Sequence, residues 1–295
     1  MTAHILDTRR VEKPWGRHAL APLFADQPAD AAPVGEIWFP DSTAVPRELL
    51  VKYLFTSQRL SVQVHPDDAT AQTRGYPRGK DEAWVVLSAE PGSTIALGLK
   101  EPMSAEAVRA AALDGSIEDM LDWRPVKAGD VIYSRAGTVH AIGKGLSLIE
   151  IQQNLDLTYR FYDYGSGREL HLDDALEVAS LGPFEPLAPP RQCGEGRLIL
   201  SENAAFVLER WTGGRDTTLA AGSATLWFLP VEGAIRVDGV DAGLGSVVIV
   251  EGAAGLEMSE DALAYVAYPG ARVIFGLDGA SNPRGACVKT ADVTG

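Results

Sequence analysis

The strongest constraint on this chain is an alternation of apolar and polar residues with period two, repeated in many short segments bounded by Gly, Pro or Asp. VGEIWF (34–39), AWVVL (83–87), TIALGL (94–99), DVIY (130–133) and SLIEIQ (147–152) carry it in the first part. After a gap it returns in AFVLERWT from residue 205, TLWFLPVEGAIRVD from 225, GSVVIVE from 245, AYVAYP from 264 and RVIFGLD from 272. Short strands at even spacing with turn-rich connections predict an all-β-dominated sandwich or barrel. Two helical stretches interrupt it. One is an Ala-rich insertion at about 103–123, with Ser104 as cap and a second short helix after Gly115; the other spans 171–181. A proline-rich segment, 183–193, reads as a linker. The expected organisation is therefore two β-barrels in tandem, 1–182 and 194–295, with all five histidines in the first.

The chain carries 26 Lys and Arg against 40 Asp and Glu, a formal net charge of -14. Such a surface repels nucleic acid and anionic membranes, and both are discounted as partners. A small anionic substrate is still allowed, because a few local cations suffice to hold it. Cys193 and Cys287 have no metal-site spacing and read as unpaired thiols of a reducing compartment. The N-terminus lacks the apolar core of a signal peptide and no run reaches membrane-spanning length, so a cytoplasmic location is expected.

Within LSVQVHP (60–66), alternation puts Ser61, Gln63 and His65 on one face and Leu60, Val62 and Val64 on the other. A lone strand histidine is more often exposed or hydrogen-bonded than a ligand. Further motifs change that balance. In GKDEAW (79–84), Lys80 and Glu82 share a face just before an apolar strand. In PVKAGDVIYSRAGTVHAIGKG (125–145), an AGD turn, a strand and a Gly-Thr-x-His corner follow the pattern of metal-holding double-stranded β-helices, with His140 opening the next strand. Gln63, His65, Glu82 and His140 together supply two imidazoles, a carboxylate and an amide, a sulfur-free set that suits zinc and accepts other divalent ions. In EIQQNLDLTYRFYDY (150–164), Glu150 and Gln152 share a strand face opposite Ile149 and Ile151, and Arg160 follows a polar turn containing Asp156. A rim salt bridge between Asp156 and Arg160 is as good a reading there as a functional one.

Taken in order, these motifs resemble the type I mannose-6-phosphate isomerases, zinc-dependent members of the cupin superfamily. The resemblance is carried by VEKPWG from residue 11, GEIW from 35, LSVQVHPDD from 60 and GKDEAW from 79. It continues in GTVHAIGKG from 137, IEIQQNLDLTYRFYDY from 149 and LHLDDALEV from 170, and is looser in the C-terminal part. It implies two tandem cupin (jelly-roll) barrels and one Zn2+ per chain held by Gln63, His65, Glu82 and His140. It also implies an active-site arginine at Arg160 and substrate contacts from Ser61 and Lys80, with Glu150 and Asp156 at acidic positions near the sugar. The chain lacks the long helical insertion of the larger eukaryotic-type enzymes, so their lid and part of their phosphate site do not transfer. Arg168, after the GSG turn, is the candidate for the remaining phosphate contact. The C-terminal part has no histidine and is expected to be structural.

The implied activity is interconversion of mannose 6-phosphate and fructose 6-phosphate through a cis-enediol. Glu150 is the favoured base, Lys80 the other candidate, and a hydride shift the competing route. Alternatives are a metal cupin acting on a neutral sugar and a non-catalytic sugar-binding cupin. Oligomeric state is left open.

Overall fold

The computed structural model describes residues 3–28, 30–40, 46–202, 204–278 and 288–289. Antiparallel β-structure dominates and forms three sheets. The six-stranded sheet runs, in spatial order, Arg9–Arg17, Val34–Phe39, Leu49–Phe55, Leu146–Gln153, Glu82–Ala89 and Val131–Ser134. The five-stranded sheet runs Tyr159–Tyr162, Val62–Val64, His140–Ile142, Thr94–Leu99 and Leu121–Pro125. The ten-stranded sheet takes the strands from Arg191–Gln192 onward, together with Ala3–Ile5, which pairs with Val248–Met258 in the register Ala3↔Val250. One histidine, His4, therefore lies on the sheet built by the C-terminal strands.

Side-chain alternation decides how these sheets are covered. Val51, Tyr53, Ile149 and Ile151 share an apolar cluster with Phe206, Leu208, Trp227 and Tyr265, so one face of the six-stranded sheet packs on the ten-stranded one. Its other face carries Lys52, Leu54, Trp84 and Glu150 toward the site. Every residue of Leu49–Phe55 is buried as a result. Val62 and Val64 join Val108, Ala111, Ala112 and Ala175 in a cluster that places the outer side of the five-stranded sheet under helices. Those helices are Ala105–Asp114, capped by Ser104 accepting from the Ala107 N–H at 3.2 Å and ended by Gly115 at φ 88°, and Leu172–Val178.

Several expectations need correction. Leu60 does not join Val62 and Val64; it packs with Trp15, Leu54 and Trp84, because the ladder begins only at Val62 and the residues before it escape the alternation. The insertion ends in a four-residue helix, Ile117–Met120, and then becomes a strand, Leu121–Pro125, paired with Thr94–Leu99. The apolar run from 272 forms no strand. It is apolar because Val273 and Leu277 fill the core of the ten-stranded sheet. The start of the proline-rich segment is bound in place, with the Leu99 N–H donating to the Gly182 carbonyl at 2.9 Å and Pro183 bridging Gly98. Cys193 is disulfide-bonded rather than a free thiol, so cysteine usage gives no argument for a reducing compartment. Cys287 lies outside the described residues. Among the described residues no helix is long and apolar enough to cross a membrane.

Candidate metal centre and its cleft

Three backbone features bring the candidate ligands together. His140 pairs with Gln63 across the five-stranded sheet, and Arg160 pairs with Gln63 on its other side. The Lys80 N–H donates to the Pro66 carbonyl at 3.0 Å, laying the GKDE segment against the end of the Gln63 strand. That approach requires glycine at 79, where a Cβ would lie 2.4 Å from the Asp67 carbonyl carbon. The Gly137 N–H donates to the His65 carbonyl at 2.8 Å, tying the turn before His140 to His65.

His65, Glu82 and His140, all 1–2% exposed, offer ligand atoms lying within 4.8 Å of one another. His65 Nε2 is 3.3 Å from Glu82 Oε1, and His140 Nε2 is 3.5 Å from Oε2. Each imidazole donates Nδ1–H to a backbone carbonyl, His65 to Leu157 at 2.8 Å and His140 to Thr138 at 2.9 Å. That fixes the tautomer and turns both Nε2 lone pairs toward the carboxylate. Burial, with the Lys80 charge behind it, holds His65 down at about 4, and burial also lowers His140. Burial alone would raise Glu82, but Lys80 and the two imidazoles overcome it and keep the carboxylate well below its usual range. Neutral imidazoles and an ionised carboxylate are the forms a divalent metal binds.

The donor set fits such an ion. Both Glu82 oxygens are buried without a hydrogen bond of ordinary geometry, although Lys80 Nζ stands 2.7 Å from Oε1. Lys80 balances Oε1, whereas among the described residues Oε2 faces only His140 Nε2 at 3.5 Å, which leaves it a place that a metal cation would fill. Gln63 turns Nε2 toward His140 Nε2 at 3.2 Å while Oε1 accepts from Ser61 Oγ at 3.1 Å. A half-turn of the amide would direct Oε1 at the same point and leave Nε2 to donate to Ser61.

Gln63 and Lys80 also line a cleft with about 130 Å³ of open space in front of the cluster. The cleft gathers five cations, Lys13, Lys52, Lys80, Arg160 and Arg168, with the carboxylates of Glu36, Glu150 and Asp156. Ser61 and Glu150 are buried, Arg160 is half-buried and Asp156 is exposed at the rim. Asp156 and Arg160 form no ion pair. Arg160 leaves its buried Nε without a partner, and burial, then Arg168, lowers its pKa. Arg168 is held by Asp163, with Nε donating to Oδ2 at 2.6 Å.

The sequence reading missed Lys52. It is 4% exposed, and its Nζ lies 3.3 Å from Glu150 Oε2 and 4.6 Å from the centroid of the Trp38 ring. Glu150 Oε1 accepts from Trp84 Nε1 at 3.1 Å. Burial first and Glu82 second raise the Glu150 pKa, against the pull of Lys52 and Lys80. The signal was available: a lysine inside the otherwise apolar run LLVKYLF must find a buried anion. Trp15, Glu36 and Trp38 line the cleft as well, on the VEKPWG and GEIW segments.

Fold and site together define a mostly antiparallel, cupin-like β-protein with a two-histidine, one-carboxylate group suited to a metal ion, next to a cleft lined by five cations and three carboxylates. By sequence the chain is similar to mannose-6-phosphate isomerases: it is 38% identical over 171 residues to that of Streptococcus mutans, a match covering 55% of this chain and 54% of that protein. The chain thus spans about half the length of the curated relatives it matches. In structure it matches the mannose 6-phosphate isomerase of Bacillus subtilis with a TM-score of 0.77 at 23% identity, over 90% of this chain and 99% of that one. A structure described as zinc-bound mannose 6-phosphate isomerase matches with a TM-score of 0.69 at 15% identity, covering 91% of this chain and 100% of that one. No protein-family model matches the chain.

Proposed function

We propose that this protein is a zinc-dependent aldose–ketose isomerase that interconverts mannose 6-phosphate and fructose 6-phosphate. The observation that carries the reading is the meeting of the His65–Glu82–His140 cluster with five cations in one cleft of a chain whose net charge is -14. Four of the five are paired, Lys13 with Glu36, Lys52 with Glu150, Lys80 with Glu82 and Arg168 with Asp163, so the charge left for an anionic group comes from Arg160, which has no ion pair among the described residues, and from the part-exposed Arg168; that favours a phosphorylated substrate over a free one. Gln63, His65, Glu82 and His140 hold the ion, which when bound supplies Lewis-acid polarisation of the sugar oxygens.

Glu150 takes the C2 proton of the open-chain aldose and returns it at C1 by way of a cis-enediol, while the O2 hydroxyl proton passes to O1. Its raised pKa brings it nearer the neutral range in which a general base works best. Lys52 beside it favours the ionised form that accepts the proton. Arg160, with a free buried Nε, faces the negative charge that develops on the carbonyl oxygen. Ser61 and Lys80 orient hydroxyls near the metal, Asp156 contacts the sugar at the rim, and Arg168 meets the phosphate.

The domain reading belongs to the same proposal. Residues 1–182, apart from the Ala3–Ile5 strand that joins the C-terminal sheet, form a catalytic cupin barrel, 183–193 connect it, and 194–295 form a second cupin barrel without metal ligands. The motif series from VEKPWG at residue 11 to LHLDDALEV at residue 170, which lies wholly in the first part, supports that division.

The test is a coupled assay with mannose 6-phosphate and with mannose, before and after chelation and zinc restoration. Zinc-dependent turnover of the phosphorylated sugar alone is expected. Absence of turnover of either sugar by the zinc-loaded protein would sink the reading.

A further inference from the structure

We propose that Asp81, whose side chain points away from the cleft, is the positioning residue through which the C-terminal sheet braces the metal cluster. The inference rests on the metal reading above and adds a role for a residue that touches neither ion nor substrate. Lys80 and Glu82 point inward, and alternation sends the side chain between them to the other side of the segment. There its Oδ1 accepts from the Ala136 N–H at 2.8 Å and its Oδ2 from the Tyr133 hydroxyl at 2.8 Å.

Ala136 belongs to the turn that ties down the His65 backbone and orients the His140 imidazole. Its neighbour Gly137 donates to the His65 carbonyl at 2.8 Å, and the Thr138 carbonyl receives His140 Nδ1–H at 2.9 Å. One carboxylate therefore joins the strand that carries Glu82 to the turn that aims the His140 ring and holds the His65 backbone. The backbone of Asp81 is pinned too, its N–H donating to Gln153 Oε1 at 2.9 Å and its carbonyl accepting from the Gln153 N–H at 3.0 Å. Gln153 Nε2 in turn donates at 2.9 Å to Asp68 Oδ1, which also accepts from the Gly79 N–H at 2.7 Å.

The same group reaches the C-terminal sheet. The Tyr133 ring lies against Phe206 with centroids 4.9 Å apart, and the Ala205 backbone amide makes a further, weaker contribution to the Asp81 carboxylate. Among the described residues no Lys or Arg forms an ion pair with Asp81. Its partners are uncharged donors, which marks a charge used to hold backbone and hydroxyl in place rather than to balance a cation. Residues that orient metal ligands are typically worth 10–100-fold in metal affinity.

The test compares full-length wild type with Asp81→Asn, in which one accepting oxygen becomes a donor facing the same N–H and O–H groups. Zinc affinity is measured by chelator competition, and ligand geometry by the visible spectrum of the Co2+-substituted protein. Asp81→Asn is expected to weaken zinc binding by roughly 10–100-fold and to alter the Co2+ spectrum, with turnover returning in excess zinc. Tyr133→Phe, which removes one donor and keeps the ring on Phe206, shifts affinity the same way by a smaller factor and serves if Asp81→Asn does not fold. Glu209→Gln, in the buried Arg197 pair of the C-terminal sheet, is the control for general destabilisation and should leave zinc affinity unchanged. Wild-type affinity and spectrum in Asp81→Asn and Tyr133→Phe overturn the proposal, as does an equal loss in Glu209→Gln. A wild type that binds no zinc overturns the metal reading together with it.

Discussion

Lys52 and Glu150 offer the sharpest test of how charge is organised in the cleft. The pair is buried, 4% and 5% exposed, with Nζ 3.3 Å from the carboxylate. At an effective dielectric of about 20, Coulomb attraction at that distance is about 5 kcal/mol, an upper bound from which desolvation must be subtracted. Lys52→Met keeps most of the stem and removes the charge. Breaking one side of a buried pair costs about 3 kcal/mol, and for a chain of 295 residues that lowers the melting temperature by roughly 5 °C.

The pH dependence separates this from a packing defect. Burial and Glu82 already raise the Glu150 pKa above its ordinary 4.5, and Lys52 opposes them, so removing Lys52 raises it further. Below 4.5 Glu150 is protonated in the folded and unfolded chain alike, and losing the cation costs little through this group. Above that value the unfolded chain releases the proton while the folded variant retains it. Wild type retains it too up to its own raised value, so the deficit of Lys52→Met relative to wild type grows with pH between the wild-type folded value and the still higher one of the variant. Thermal melts at several pH values, with kcat against pH for mannose 6-phosphate, read both effects. The acid limb of kcat should move to higher pH in the variant. A melting deficit that is constant with pH, together with an unmoved acid limb, would refute the reasoning.

Other consequences follow from the same geometry. His140→Ala and Glu82→Ala should each lose zinc and activity, whereas Glu150→Gln should keep its zinc, measured by atomic absorption, and lose 10²-fold or more in kcat, roughly the worth of a general base. Because burial and Lys80 hold His65 down at about 4, zinc affinity should change little through this ligand from neutral pH to roughly 5 and fall as His65 begins to protonate. A loss beginning near 6.5, the ordinary imidazole value, would show that the ring is not buried as described. Arg160→Met should lower kcat with zinc retained. Arg168→Met should mainly raise KM for the phosphorylated sugar, about tenfold for one charged hydrogen bond, because Asp163 already shares its guanidinium.

The parts of the site legible in the sequence were those where local pattern and chemistry coincide. Gln63 and His65 sit on alternate positions of one strand, the glycine at 79 marks the close approach that brings Glu82 to them, and the glycine at 137 supplies the left-handed turn just before His140. What stayed hidden depends on pairing across the chain. The apolar run around Lys52 called for a buried anion but only the register opposite Glu150 identified it, and Asp81 became intelligible only through Tyr133 and Ala136, 52 and 55 residues away. Leu60 misled because alternation was extended past a three-residue ladder. The run from 272 misled for a different reason: apolar β-formers also suit a turn whose side chains plug a core, and tertiary packing decided between the two.

Burial of the six-stranded sheet on both faces is what makes its charges useful. Val51, Tyr53, Ile149 and Ile151 are sealed against the C-terminal sheet, so Lys52 and Glu150, alternating with them on the same strands, face the cleft from a dry wall. In that setting charges are weakly screened and each must be matched locally, which explains why the cations crowd into one place while the whole chain is strongly acidic. Beyond about 8 Å at physiological ionic strength the attraction of the cleft is screened out, so the acidic surface governs the approach and the cleft governs retention. A ligand is held only if it brings negative charge for the arginines and lysines and oxygens for the His65–Glu82–His140 point at once. The sugar phosphate proposed as substrate brings both, whereas a free sugar brings oxygens without charge.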